Sequence, residues 1–99
     1  MAHFRFMDLE IWKDAIELNN RLFDLSDKIS DAKNYRVAEQ LRGASLSISN
    51  NIAEGSGEFS INEKSRFYRM AKRSATETAA ILEVSKHLNI IQEEYYHLT

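Results

Sequence analysis

The sequence predicts an all-α protein, an antiparallel up-down four-helix bundle whose fourth helix is short or truncated. Three observations carry that expectation. Proline is absent and glycine occurs only three times in 99 residues, so little along the chain interrupts a helix. Apolar side chains recur at alternating steps of four and three, the spacing that gathers them on one helix face. The run "SINE", Ser60 to Glu63, is a capping box that follows Gly55 and Gly57 at once, so it marks where one helix gives way to another.

The first helix is expected over about 8–29, with Asp8 as its N-cap and Ile11, Ala15, Leu18, Leu22, Leu25 and Ile29 as its seam. Trp12, Ile16 and Phe23 widen that face. The polar run "SDAKN", Ser30 to Asn34, reads as a short connection. A second helix is expected over about 34–54, with Val37, Leu41, Ser45, Ile48 and Ile52 in line and Gly55 as a left-handed C-terminal residue. The third, over about 60–88, carries Phe67, Ala71, Ser74, Thr78, Ile81, Ser85 and Leu88; small residues at its middle allow a close approach to a neighbour. Asn89 breaks it, and a fourth helix over 91–99 places Ile91, Tyr95 and Leu98 on one side. A complete bundle would need more turns there, so this helix reads as truncated or completed by another subunit.

Ninety-nine residues form one small domain, 1–99, at a size where apolar burial only narrowly exceeds chain entropy and association helps. No window of about eighteen uncharged apolar residues is present to span a membrane. The N-terminus MAHFRFMDLE lacks the apolar core of a signal peptide. With no cysteine, disulfides and thiolate metal sites are excluded, and the cytoplasm is the default location. The net charge of -2 hides a segregation. Residues 1–31 hold four Lys/Arg against seven Asp/Glu, 32–75 hold eight against four, and 76–99 hold one against four. A basic middle is the electrostatic footprint of a polyanion site if folding gathers it on one surface.

Beside the seam of the second helix runs another stripe of the same rhythm, Gln40, Ala44, Ser47, Asn51 and Glu54, small or polar throughout. Period alone leaves two readings, a solvated flank or a hydrogen-bonded network at a packed interface.

The run "SISNNIAEGSGEFS" followed by "AKRSATETAAILEVSKHLNII" closely resembles the intervening-sequence family of small bacterial four-helix-bundle proteins, first associated with insertions in large-subunit ribosomal RNA genes. "IWKDAIEL" is similar to that family's first helix, and Gln40 to Ala44 to the start of its Q-x-R-R-A segment, with Gly43 where the second arginine is usual. The N-I-A-E-G signature is intact from Asn51 to Gly55, with Glu58 where a basic residue often follows it. The S-x-x-E element falls on Ser74 and Glu77. Such proteins resemble the accessory subunits of diversity-generating retroelements, homopentamers of four-helix protomers that bind nucleic acid and a reverse transcriptase. The resemblance thus implies a non-enzymatic homo-oligomer, pentameric by analogy, associated with RNA or DNA or with a nucleic-acid-handling protein. It also favours the network reading of the polar set Gln40, Ser47, Asn51, Glu54, Ser74 and Glu77, linking the second and third helices.

The candidate binding surface is "KSRFYRMAKR", with Lys64, Arg66, Arg69, Lys72 and Arg73. At 100° per residue Arg66, Arg69 and Arg73 share a face and Lys72 lies close to them, while Arg36 and Arg42 could join from the second helix. The same residues also fit an ordinary solvated helix face. Tyr68 and Phe67 could stack on bases, although Phe67 sits on the seam and reads as core. Catalysis finds little support. His87 and His97 accompany no nucleophile motif. Glu94 and His97 make one Glu-x-x-His unit, and Glu83 lies one turn before His87, but di-metal bundles need two such units and further glutamates. No cofactor or metal site is expected.

Overall fold

The computed structural model describes residues 3–91 of the chain. Among them lie a 3-10 turn, Arg5–Asp8, and three α-helices: α1, Glu10–Asp31; α2, Tyr35–Ser56; and α3, Ile61–His87. The described chain is thus all-α with three helices. The helix expected over 91–99 falls outside the described residues apart from Ile91.

Helix starts follow the local chemistry with one shift. Asp8 is not the cap of α1: it ends the 3-10 turn and pairs with His3 at 3.0 Å, and Leu9 takes the N-cap position. Asn34 precedes α2, where its carbonyl accepts the first intrahelical bond from Ala38 N–H. Ser60 caps α3 by accepting from Glu63 N–H at 3.4 Å. The reciprocal half of that capping box is replaced, since the Glu63 carboxylate turns to Arg66 instead.

Helix ends correct the role assigned to glycine. The left-handed residues are Lys33, φ 69°, and Asn89, φ 55°; no glycine has positive φ. After α1, Asn34 N–H reaches back to Ile29 C=O and Lys33 N–H to Ser30 C=O; after α3, Ile90 N–H reaches Ser85 C=O and Asn89 N–H reaches Lys86 C=O. Both are the paired 6→1 and 5→2 closure of a Schellman motif. Gly55 does something else. It is buried inside α2, and a Cβ there would sit 2.9 Å from Tyr68 Cε1 and 3.1 Å from Phe67 Cβ, so its lack of a side chain lets α3 lie against the α2 backbone.

α1 and α3 each pack along α2, antiparallel to it. At the end of the α1–α2 turn, Leu22, Leu25, Ile29, Ala38, Leu41 and Leu82 form the apolar core, with Ile90 and Ile91 packed against it. Full burial of a Leu or Ile side chain contributes about 1.5–3 kcal/mol. At the α2–α3 corner the core is smaller, built from Ala15, Ile48, Ile52 and Ala71. The expected seams run through both clusters, except that Ile11 and Leu88 are 61% and 62% exposed, Phe67 is only partly buried and in neither cluster, and Ala38 and Leu82, off the expected seams, are buried.

Candidate nucleic-acid interface and the polar stripe behind it

The outward side of α3, turned away from α2, is where helical period sends the residues three and four apart at its basic start. Arg66, Arg69, Met70, Lys72, Arg73 and Thr76 line a shallow groove of about 570 Å³ there. Thr76 turns its hydroxyl back to Lys72 C=O at 3.1 Å. These cations are not equivalent. Arg66 is committed to Glu63, with Nε and Nη2 donating to its carboxylate at 3.2 and 2.9 Å, and its guanidinium lies 4.5 Å from the centre of the Phe67 ring. The hydrogen bonds and charge of Glu63 raise the Arg66 pKa, with Glu58 and Glu54 adding to it, and Arg66 in turn holds the Glu63 carboxyl below the usual range. Arg69, Lys72 and Arg73 are exposed and form no ion pair among the described residues.

The remaining predicted cations lie elsewhere. Ser47 of α2 faces Ser74 of α3, so in an antiparallel pair Arg36 falls about eleven residues, or about 16 Å, from that level toward the far end. Arg42 bridges Asp27 of α1 at 2.8 Å and Glu39 at 2.6 Å; hydrogen bonds to Asp27 and then Glu39 raise its pKa. It acts as an α1–α2 tie rather than part of the groove. Lys64 is partly buried and lies on another side of α3.

Behind the strip, the structure brings half of the polar set together. Ser74 Oγ donates to Ser47 Oγ at 2.8 Å, and Asn51 Nδ2 donates to Ser47 Oγ at 3.0 Å and to Ser47 C=O at 2.8 Å. Asn51 and Ser74 are buried, so this is a network between α2 and α3 and not a wet flank. Gln40, Glu54 and Glu77 are exposed and stand outside it. A second network went unread in the sequence. Asn19 of α1 is 8% exposed; its Nδ2 donates to Ser49 Oγ at 2.9 Å, and Ser45 Oγ donates to its Oδ1. The signal was present, because Asn19 occupies the seam between Ala15 and Leu22 at steps of four and three. Other buried hydroxyls satisfy themselves within their own helices, as Thr78 does on Ser74 C=O at 2.9 Å and Ser85 on Ile81 C=O at 2.7 Å.

Among the described residues no group of three His, Asp or Glu side chains is placed to hold a metal, and no helix is long and apolar enough to cross a membrane. Glu83 and His87 meet at 3.3 Å on the surface of α3, while Glu94 and His97 lie outside the described residues.

A family model described as "23S rRNA-intervening sequence protein" matches residues 7–99. The chain belongs to the 23S rRNA-intervening sequence protein family. That match spans α1, the α2–α3 corner with the intact Asn51–Gly55 signature, and the whole of α3. It gives the signature a physical reading in this family member: Asn51 serves the inter-helix network, Ile52 the core, and Gly55 the close approach of α3. None of the curated proteins compared with the chain matches it.

Proposed function

We propose that this family member is a non-enzymatic, self-associating adaptor that binds RNA or DNA through the outward strip of α3. The observation that carries this reading is the trio Arg69, Lys72 and Arg73, held on one side of a helix and, among the described residues, without the carboxylate partners that occupy Arg66 and Arg42. An unpaired guanidinium or ammonium releases phosphate counterions at no cost of breaking an internal pair. The family resemblance supports association with nucleic acid and a homo-oligomeric, pentameric state; the lack of cysteine is what favours the cytoplasm. The four-helix form that the resemblance implies is supported by the left-handed turn at Asn89, which ends α3, and by Ile90 and Ile91 on the core.

A second reading, an assembly module without nucleic acid, draws on a charge opposition. α1 carries six Asp/Glu against three Lys/Arg and α3 carries six Lys/Arg against three Asp/Glu, so one protomer's α3 could meet another's α1. A mobility-shift titration at two salt concentrations, combined with light scattering, separates the two. Three phosphate contacts give a log–log salt slope of about -2.7 on duplex DNA or about -2.1 on single strands. The triple variant Arg69→Gln, Lys72→Gln, Arg73→Gln should lose the shift; equal binding by that variant rejects the site, and loss of oligomer mass instead favours the assembly reading.

A further inference from the structure

Glu63 stands between two donors. As the third residue of α3 it is placed to return its carboxylate to the Ser60 N–H and complete the capping box, yet that half of the box is unmade. The carboxylate takes Arg66 instead, with Oε2 accepting from Nη2 at 2.9 Å and from Nε at 3.2 Å, and Oε1 lying 3.4 Å from the same Nε. That occupies the Nε–Nη2 edge of the guanidinium. Its other contacts are of a different kind: Nη1 donates to Met70 Sδ at 3.6 Å, and the guanidinium lies 4.5 Å from the centre of the Phe67 ring. Glu58 and Glu54 act on Arg66 through charge, with no hydrogen bond to it among the described residues. Both side chains of the Glu63–Arg66 pair are partly exposed, and Arg66 lines the same groove as Arg69, Lys72 and Arg73.

We infer that Glu63 holds the place of a phosphate on Arg66: when a nucleic-acid strand lies along the basic strip, a phosphate takes that edge and the carboxylate turns to the Ser60 N–H. The inference rests on the polyanion reading above and adds a fourth contact to the three it names. The two anions compete for the same donors, because a guanidinium edge receives a carboxylate or a phosphate in the same side-on, two-bond geometry. An exposed ion pair three residues apart on a helix is weak, so it yields to a competitor held nearby. The strand is such a competitor. Arg69 is one turn from Arg66 and Arg73 two turns, about 10.5 Å, so phosphates bound at those residues bring the next one to Arg66 at high effective concentration. Free inorganic phosphate has no such tether and must displace Glu63 unaided. The displaced carboxylate loses little, since at the start of α3 it meets an N–H without a helical partner and the positive end of the helix dipole. The guanidinium keeps its orientation through Met70 and Phe67, so little ordering remains to be done when the phosphate arrives. Glu63 thus makes Arg66 a reader of polymeric phosphate rather than of small anions.

Fluorescence anisotropy of the full chain at several salt concentrations tests this, with a DNA duplex of about 20 base pairs and a single strand of the same length as probes. Four phosphate contacts give a log–log salt slope of about -3.6 on the duplex or about -2.8 on the single strand, against about -2.7 or about -2.1 for three. Arg66→Gln should bring the slope to the three-contact value. Glu63→Gln should keep the four-contact slope and tighten binding about two- to fivefold, since no internal pair has to break first. Glutamine also completes a capping box, so the start of α3 survives that change. In the Arg66→Gln background the gain from Glu63→Gln should shrink. A three-contact slope in the unmodified protein, an unchanged slope in Arg66→Gln, or an undiminished Glu63→Gln gain without Arg66 would each overturn the inference, the last by showing general charge repulsion. The polyanion reading fails separately, if neither probe binds or if the triple variant of Arg69, Lys72 and Arg73 binds as well as the unmodified protein does.

Discussion

The two ends of this bundle are built from different materials. At the end of the α1–α2 turn, Leu22, Leu25, Ile29 and Leu41 are at most 1% exposed, Leu82 closes over them, and Schellman turns at Lys33 and Asn89 tie off the helices. At the α2–α3 corner the buried apolar side chains are two isoleucines and two alanines, and the helices meet through Gly55 and through hydroxyl and amide groups. Large side chains hold helices together by burying area; small ones do so by letting backbones approach, which leaves neighbouring side chains exposed in fixed positions. The second arrangement contributes less hydrophobic free energy, but it holds Tyr68, Lys72 and the arginines on a surface whose underlying spacing is set by contacts rather than by filling. The candidate site sits at that end, away from the main core.

The strongest way to break this contrast is Leu41→Ala. Leu41 is fully buried in the larger cluster, and its truncation should cost about 2–5 kcal/mol, read as a lowered midpoint in denaturant with an unchanged slope. A cost under about 1 kcal/mol would mean that the end relaxes around the lost side chain and is not the close-packed half described here.

Gly55→Ala probes the other end by the opposite operation, adding a carbon where none fits. The new methyl meets the Tyr68 ring and Phe67 Cβ, neither of which is a free side-chain tip, so α3 or the ring must shift. The expected loss is about 1–3 kcal/mol, less than that of Leu41→Ala. Thermal melting followed by helical circular dichroism measures it, and a neutral result would mean that α3 does not lie close against the α2 backbone at Gly55. The pair of variants also asks whether the ends unfold together, since a two-state chain must show one transition in both.

The fold was legible where periodicity speaks, and obscure where a residue's job depends on what faces it. Leu22, Leu41 and Ile52 could be placed in the core from spacing alone, as could Ser60 as a cap. Gly55 could not be understood that way, because the sequence marks it as a helix-ending residue and only the ring across the interface shows it is a contact. Likewise Lys33, a left-handed lysine, carries no local signal for its conformation. In the candidate site, spacing correctly put Arg66, Arg69 and Arg73 on one side, but not which of them would be spent on a neighbour. Glu63 reads as the second half of a capping box, and its diversion to Arg66 is a competition between two nearby donors that composition does not decide. The polar stripe divided in the same manner: Ser47, Asn51 and Ser74 meet across the interface, while Gln40, Glu54 and Glu77 share their rhythm and face solvent.

Gly43 offers the finest test, because it sits in the same helix as Gly55 and differs only in what surrounds it. A Cβ at Gly43 would meet nothing within 4 Å, and the residue is exposed. Its only effect on stability is then the backbone freedom that glycine surrenders on folding, so Gly43→Ala should stabilise the chain by about 0.5–1 kcal/mol. For a chain of this size that is a rise in Tm of roughly 2–8 °C. The sign is the informative part: two glycine-to-alanine changes twelve residues apart in α2 should move the melting temperature in opposite directions. If Gly43→Ala also destabilises, the exposed side of α2 is in contact with something in solution, and a second copy of the chain on that face, detectable as a change in mass by light scattering, becomes the first explanation to examine.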